Sequence, residues 1–263
     1  MKTFVNHLGR VFIQALEELG YAFMLFIESL QWIVLGKYKR QSVRLEHIFH
    51  EAMNIGVRAV PIVSVLCFAV GMMLAIQGLE TLKPYGAQSQ VVTGIAISVT
   101  REFSALIVGI LVAGRSGSAI TARIGTMQES QEIDALRVIG IDPVRYLAAP
   151  LLIAMMVTMP ALTVLGDFLG MLGGAVYTSI ELNMSIATYM DRSFEVLKLY
   201  DVMQGLIKSA IFAVIIVLVG LINGFQVKGG AEGVGYATTR SVVMSISLIV
   251  IADMIFTYFL TRT

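Results

Sequence analysis

Five stretches of this chain, near residues 55–82, 90–114, 147–178, 203–226 and 241–261, are long and apolar enough for transmembrane helices, each of which needs about 20 mainly apolar residues. The first holds an uncharged run from Ala59 to Leu79 and the third another from Tyr146 to Gly166. The second, fourth and fifth carry charges inside the apolar pattern: Arg101 and Glu102, Lys208, and Asp253. Ahead of them, Tyr21 to Leu35 is an apolar stretch broken by Glu28, too short to cross comfortably and ending near Trp32. Together with the charged amphipathic stretch before it, this pattern predicts N-terminal helices lying in or against the membrane interface over residues 1–50, a sixth span being the alternative. The predicted fold is therefore an all-α integral membrane protein, with interfacial helices followed by a five-span domain over 51–263.

Composition agrees with lipid as the main solvent, since 57% of the 263 residues are hydrophobic and 14% charged, against about a quarter charged in an ordinary soluble protein. A net charge of +1 offers no excess of cations to hold a nucleic-acid backbone. The single cysteine, Cys67, lies in an apolar run without an intrachain mate, so it reads as a small buried hydrophobe. The acidic pair Glu17 and Glu18 stands where a signal peptide would be apolar, and the N-terminal segment is expected to be retained.

Lys and Arg concentrate on the cytoplasmic side of membrane proteins. Lys2, Arg10, Lys37, Lys39, Arg40, Arg44 and Arg58 precede the first span, and Arg115, Arg123, Arg137, Arg145, Lys228 and Arg240 occupy alternate connections. The opposite set is Lys83, Arg192, Lys198 and Arg262. The asymmetry predicts a cytoplasmic N-terminus, a C-terminus outside, and an external connection near 179–202 with room for a short helix or two. No internal repeat is visible, which weakens an inverted-repeat secondary-transporter reading. Gly166, Gly170 and Gly174 form a small-residue stripe in the third span, suited to close helix packing.

The connection over 114–146 holds Glu129, Glu132 and Asp134, then apolar Leu136, Val138 and Ile139, and stops between Gly140 and Pro143. By pattern it is equally a short amphipathic docking helix or an unpartnered surface loop. The intramembrane charges raise a second question, because a charge at mid-bilayer costs about 3 kcal/mol on insertion scales. Neighbours on a helix point about 100° apart, so Arg101 and Glu102 each need another partner. Lys208 and Asp253 fall at comparable depth toward the outer ends of their spans and are able to pair. These charges either fix helix packing or line a hydrated path for a headgroup. Leu74, Gly78, Leu82 and Tyr85 form one stripe on the outer part of the first span, facing either lipid or a cargo pocket.

Several segments, in order along the chain, resemble the MlaE/YrbE permease family of bacterial ABC transporters. They are REF at Arg101 to Phe103, AGRSGSA at Ala113 to Ala119, QEIDAL at Gln131 to Leu136 and IDPVRYLAAP at Ile141 to Pro150. IKSAIFA at Ile207 to Ala213, NGF at Asn223 to Phe225 and ATTRSVV at Ala237 to Val243 continue the match, which covers roughly residues 50–260. One departure is Ser130-Gln131-Glu132, where the family usually has Thr-Glu-Gln. The resemblance implies a homodimer in a bacterial inner membrane, two cytoplasmic ABC ATPase subunits and a periplasmic MCE-domain partner, with phospholipid as cargo. It makes 114–146 the coupling segment, with Glu129, Gln131, Glu132, Asp134 and Leu136 facing the ATPase. It favours Leu74, Gly78, Leu82 and Tyr85 as the wall of an acyl-chain pocket, and these together with the intramembrane charges Arg101, Glu102, Lys208 and Asp253 are the candidates for the lipid path. The chain has no GxxxxGK[ST] loop, so it is expected to be no enzyme and to bind no cofactor, ATP and magnesium being used by the partner. The alternatives at this stage are an ion-coupled secondary transporter or channel, and a non-transporting membrane scaffold.

Overall fold

The computed structural model describes residues 2–35 and 45–260, and among these it is helices joined by short turns, without strands. Eleven α-helices follow in order: α1 (Lys2–Leu35), α2 (Leu45–Ile55), α3 (Val60–Leu82), α4 (Gln90–Ser98), α5 (Ser104–Val112), α6 (Ser118–Glu129), α7 (Glu132–Val138), α8 (Ala149–Glu181), α9 (Ile186–Val196), α10 (Leu199–Phe225) and α11 (Gly230–Leu260). Short 3-10 or π turns fuse several of them into five helical rods of spanning length: Leu45–Tyr85, Gln90–Glu129, Val144–Glu181, Leu199–Phe225 and Gly230–Phe259. These five coincide with the five apolar stretches of the sequence. The first rod begins some ten residues earlier than hydropathy alone suggests, because polar helix formers from Leu45 onward continue the same helix. Lys37, Lys39, Arg40, Arg44 and Arg262, used above for orientation, lie outside the described residues.

The chain divides into two compact units, one of Met1–Glu51, Arg115–Ala154 and Ile215–Ser245, the other of Ala52–Gly114, Met155–Val214 and Ile246–Thr263. In the first unit α1 is a single long helix that buries Leu25 and Ser29 and leaves Leu16, Leu19, Phe23, Leu30 and Val34 exposed. Glu18 pairs with Arg240, and the Arg145 guanidinium lies 5.4 Å over the Trp32 ring. Three helices of this unit are tied by Thr121, whose Oγ1 lies 3.1 Å from the Gly220 carbonyl and 2.8 Å from Ser241 Oγ. Helix α7 ends where Gly140 takes a left-handed φ of 79°, letting the Ile141 amide return to the Leu136 carbonyl at 2.9 Å.

The second unit is held by backbone-to-backbone approach. A Cβ at Gly71 would fall 1.8 Å from the Gly170 carbonyl oxygen, and one at Gly173 would fall 2.0 Å from that of Phe68. Helices α3 and α8 therefore meet with no side chain between them, the small-residue mode that membrane helices use where hydrophobicity cannot drive them together. The stripe seen in sequence does this packing, Gly166 against Cys67 and Ser104, and Gly174 against Tyr189 and Ile95. The connection over 179–202 folds into one helix, α9, whose Ser185 side chain accepts the Thr188 amide as an N-cap. Tyr189 from this helix is fully buried with Val92 and Ala175.

Candidate functional site

The second rod is not a uniform α-helix. Residues Val99–Phe103 and Ala113–Gly117 form π turns, each of which adds a residue to the helical turn and rotates everything beyond it. The first of these carries Arg101 and Glu102, and its Thr100 carbonyl lies where a Cβ on Gly205 would come within 2.4 Å. Glycine at 205 thus seats α10 directly on the turn. Asp201, Gly205 and Lys208 are spaced four and three residues apart, so they share one face of α10. On that face the adjacent Arg101 and Glu102 find separate partners two turns apart.

Arg101 donates from Nε to Asp201 Oδ1 at 2.7 Å. Asp201 is buried, and its second oxygen accepts the Lys198 amide at 2.9 Å, which also caps the start of α10. Lys208, fully buried, contacts the Glu102 carboxylate, Asp253 Oδ1 at 3.0 Å and Thr257 Oγ1 at 2.9 Å. Thr257 Oγ1 in turn lies 3.1 Å from both Glu102 oxygens. The cross-helix pairing of Lys208 and Asp253 expected from depth is present, with Glu102 as a second counterion. Glu102 keeps 32% of its side chain exposed, against 1% for Lys208 and 15% for Asp253. It is the member of the cluster that faces open space.

A groove of about 330 Å³ runs between α3 and α4, lined by Leu74, Gly78, Leu82, Val91, Gly94 and Ser98 among others. Leu74, Gly78 and Leu82 of the sequence stripe line it; Tyr85 does not and is 79% exposed. Gly78 faces Val91 across the groove, whereas a Cβ on Gly94 would meet nothing within 4 Å. Ser98, at one end of the lining, directly precedes the π turn that carries Glu102. The groove thus combines apolar Leu74, Leu82, Val91 and Ile95 with polar Gln77, Thr81, Gln90 and Ser98, a mixed lining suited to an amphiphile.

In the connecting segment, Glu129 and Glu132 stand on two different helices, broken at Gln131, which is left-handed at φ 59°. Glu129 Oε2 accepts the Gly230 amide at 2.8 Å, tying α6 to the start of α11. Glu132 takes the Ser130 hydroxyl at 3.0 Å, and Asp134 pairs with Arg137 at 3.0 Å on the surface. Ile133 is fully buried and Leu136 is half-buried, while Val138 and Ile139 are 87% and 68% exposed. The outward face of α7 is therefore acidic at its start and apolar at its end.

Sequence reasoning did not single out Asp201, Gly205 or Thr257. Asp201 had a visible signal, an acid in the first turn of an apolar helix, but that pattern is also an ordinary capping preference. It likewise passed over Asp167, a carboxylate that follows the uncharged run of the third span and is 7% exposed.

The family described as Permease MlaE matches residues 48–259. A probable ABC transporter permease protein of Rickettsia typhi is 34% identical over 257 residues, covering 98% of this chain and 97% of that protein. A probable ABC transporter permease protein of Synechocystis is 34% identical over 238 residues, with 90% and 88% covered. The intermembrane phospholipid transport system permease protein MlaE of Haemophilus influenzae is 31% identical over 260 residues, with 97% and 96% covered.

Proposed function

The chain belongs to the MlaE family of ABC transporter permeases, and on that premise we propose that it carries phospholipid between the inner and outer membranes of a bacterium. It is a multi-pass membrane protein and a transporter subunit rather than an enzyme. In this reading it sits in the inner membrane with its N-terminus cytoplasmic and its C-terminus periplasmic. ATP is hydrolysed by separate cytoplasmic ATPase subunits seated on α7, and a periplasmic MCE-domain protein passes lipid to or from the outer side. Two copies work together; only 11% of the most apolar part of the fifth span and 28% of the first are buried within one chain, leaving apolar surface for lipid and a second copy. The stripe of exposed apolar residues on α1 supports a helix lying in the interface, as the 1–50 segment was expected to do.

The observation that carries the cargo assignment is the groove between α3 and α4, apolar along Leu74, Gly78 and Leu82 and ending in its lining at Ser98, the residue before the turn that carries the partly exposed Glu102. An acyl chain suits the slot, and the carboxylate suits the basic part of a headgroup. An ion-carrier role is less suited to the cluster, because Lys208 is already held by the Glu102 carboxylate and the Thr257 hydroxyl and lies 3.0 Å from Asp253 Oδ1. The test is Gly94→Leu in the reconstituted transporter. A Cβ at 94 meets nothing within 4 Å, so the side chain is expected to extend into the groove with folding and ATPase association normal while lipid transfer between vesicles falls. Unchanged transfer with the groove filled removes the groove from the lipid path.

A further inference from the structure

A separate cavity of about 260 Å³ lies in the first unit, lined by His47, His50, Glu51, Arg123, Tyr146 and Leu147 among others. Arg123 Nη1 donates to Glu51 Oε1 at 2.6 Å, and the His47 ring meets Tyr146 edge-on with centroids 5.2 Å apart. The cavity thus holds a guanidinium, a carboxylate and two imidazoles within a small volume, against an apolar wall. Its depth is set by sequence: Tyr146 and Leu147 open the uncharged run of the third span, and His47 and His50 lie in the helical turns before the uncharged run of the first, at Ala59. Tyr146 and Leu147 put their wall of the cavity at the edge of the hydrocarbon, next to the headgroup layer. The volume is below the usual range for a drug-sized ligand, which fits a headgroup but not a whole lipid.

The charge pattern narrows the headgroup. Glu51 exposes 14% of its side chain and Arg123 40%, so the carboxylate belongs to the cavity and repels an anion that brings no compensating cation. A purely anionic headgroup would meet that repulsion, whereas a zwitterion with a primary amine brings one charge for each wall. We propose that this cavity recognises the phosphoethanolamine headgroup of a membrane phospholipid, its ammonium hydrogen-bonded to Glu51 and its phosphate to Arg123 and the two imidazoles. Charge-assisted bonds of this kind, guanidinium to phosphate and ammonium to carboxylate, are the stronger ones available to such a ligand. The cavity shares no lining residue with the groove assigned to cargo, and the proposal depends on neither the direction of transport nor the orientation of the chain.

The full chain in lipid nanodiscs, open on both faces, tests this by carbethoxylation of histidine read by mass spectrometry. Labelling of His47 and His50 is normalised to His7, the third histidine of the sequence. Discs containing phosphatidylethanolamine should slow labelling of His47 and His50 several-fold relative to discs of phosphatidylglycerol. Glu51→Gln should abolish that difference while both histidines remain reactive, an outcome that a purely structural Glu51–Arg123 pair does not produce. Equal labelling in the two kinds of disc overturns the proposal. Equal protection by free phosphoethanolamine or inorganic phosphate in phosphatidylglycerol discs also overturns it, since the site would then belong to a soluble phosphate compound. Gly94→Leu should leave the protection unchanged, so failure of the groove assignment and failure of this one are read separately.

Discussion

Lys208 touches two carboxylates and a hydroxyl, so the cluster carries one more negative than positive charge. That surplus makes its members unequal under mutation. Glu102→Gln leaves Lys208 neutralised by Asp253 and keeps an oxygen beside Thr257, so the fold should hold to within about 1 kcal/mol, the range of a single net hydrogen bond. If the exposed carboxylate contacts cargo, transfer should fall about tenfold for each 1.4 kcal/mol of lost contact. Lys208→Met instead removes the buried cation shared by Asp253 and the more exposed Glu102 and should destabilise by about 3 kcal/mol, the lower end of the range for breaking a buried pair, seen as a lower thermal midpoint and poor assembly. Equal destabilisation by both variants would make the cluster a packing device only. The pairing of Lys208 with Asp253 was legible in sequence because charges inside apolar runs are conspicuous and both sat at one depth. The Arg101–Asp201 pair was not, because Asp201 stands at a helix start, where an acid needs no special partner.

At the scale of elements, the contact between α3 and α8 rests on glycines that differ sharply in what surrounds them. Gly71→Ala places a Cβ 1.8 Å from a backbone oxygen that has nowhere to move, and should lose about 1–3 kcal/mol as an overpacked core does. Gly94→Ala meets nothing and should be neutral or slightly stabilising, since alanine favours helix; thermal unfolding of the two variants makes the comparison. The stripe Gly166, Gly170 and Gly174 was visible as spacing, but Gly71 was not. A close approach has two sides, and one side alone carries no periodic signal. Helix α1 adds a pH-dependent contact. Burial, then the charge of Asp142, raises the Glu28 carboxyl above its ordinary 4.5. A carboxyl so raised supports the folded contact while protonated, and its contribution is lost as pH climbs from 4.5 through the folded value. Glu28→Gln should therefore slow hydrogen exchange in α1 relative to the parent at pH 8, and the two should converge near pH 4.

For the whole molecule, the number of spans was readable from hydropathy because nothing else accounts for 20 apolar residues in a row. Orientation rests on counted cations and is open to direct measurement. The one native cysteine is buried, so cysteines placed at the exposed Ala135 and Ala187 report without a silent background. Ala135→Cys should react only with reagents that reach the cytoplasm and Ala187→Cys with impermeant reagents outside; the reverse pattern would invert the topology and move the ATPase contact away from α7. What hydropathy could not reveal is the irregularity of the second rod, since a π turn changes no residue's polarity. That irregularity makes the rod resemble a text with surplus letters. Deleting one residue within Val99–Phe103 would still leave a continuous, apolar, membrane-length helix, indistinguishable by composition from the parent. Yet Gln90–Ser98 would swing about 100° around its own axis relative to Ser104–Val112, turning Val91 and Ile95 away from Gly78. The segment is indifferent to the loss as a helix and intolerant of it as a wall of the groove.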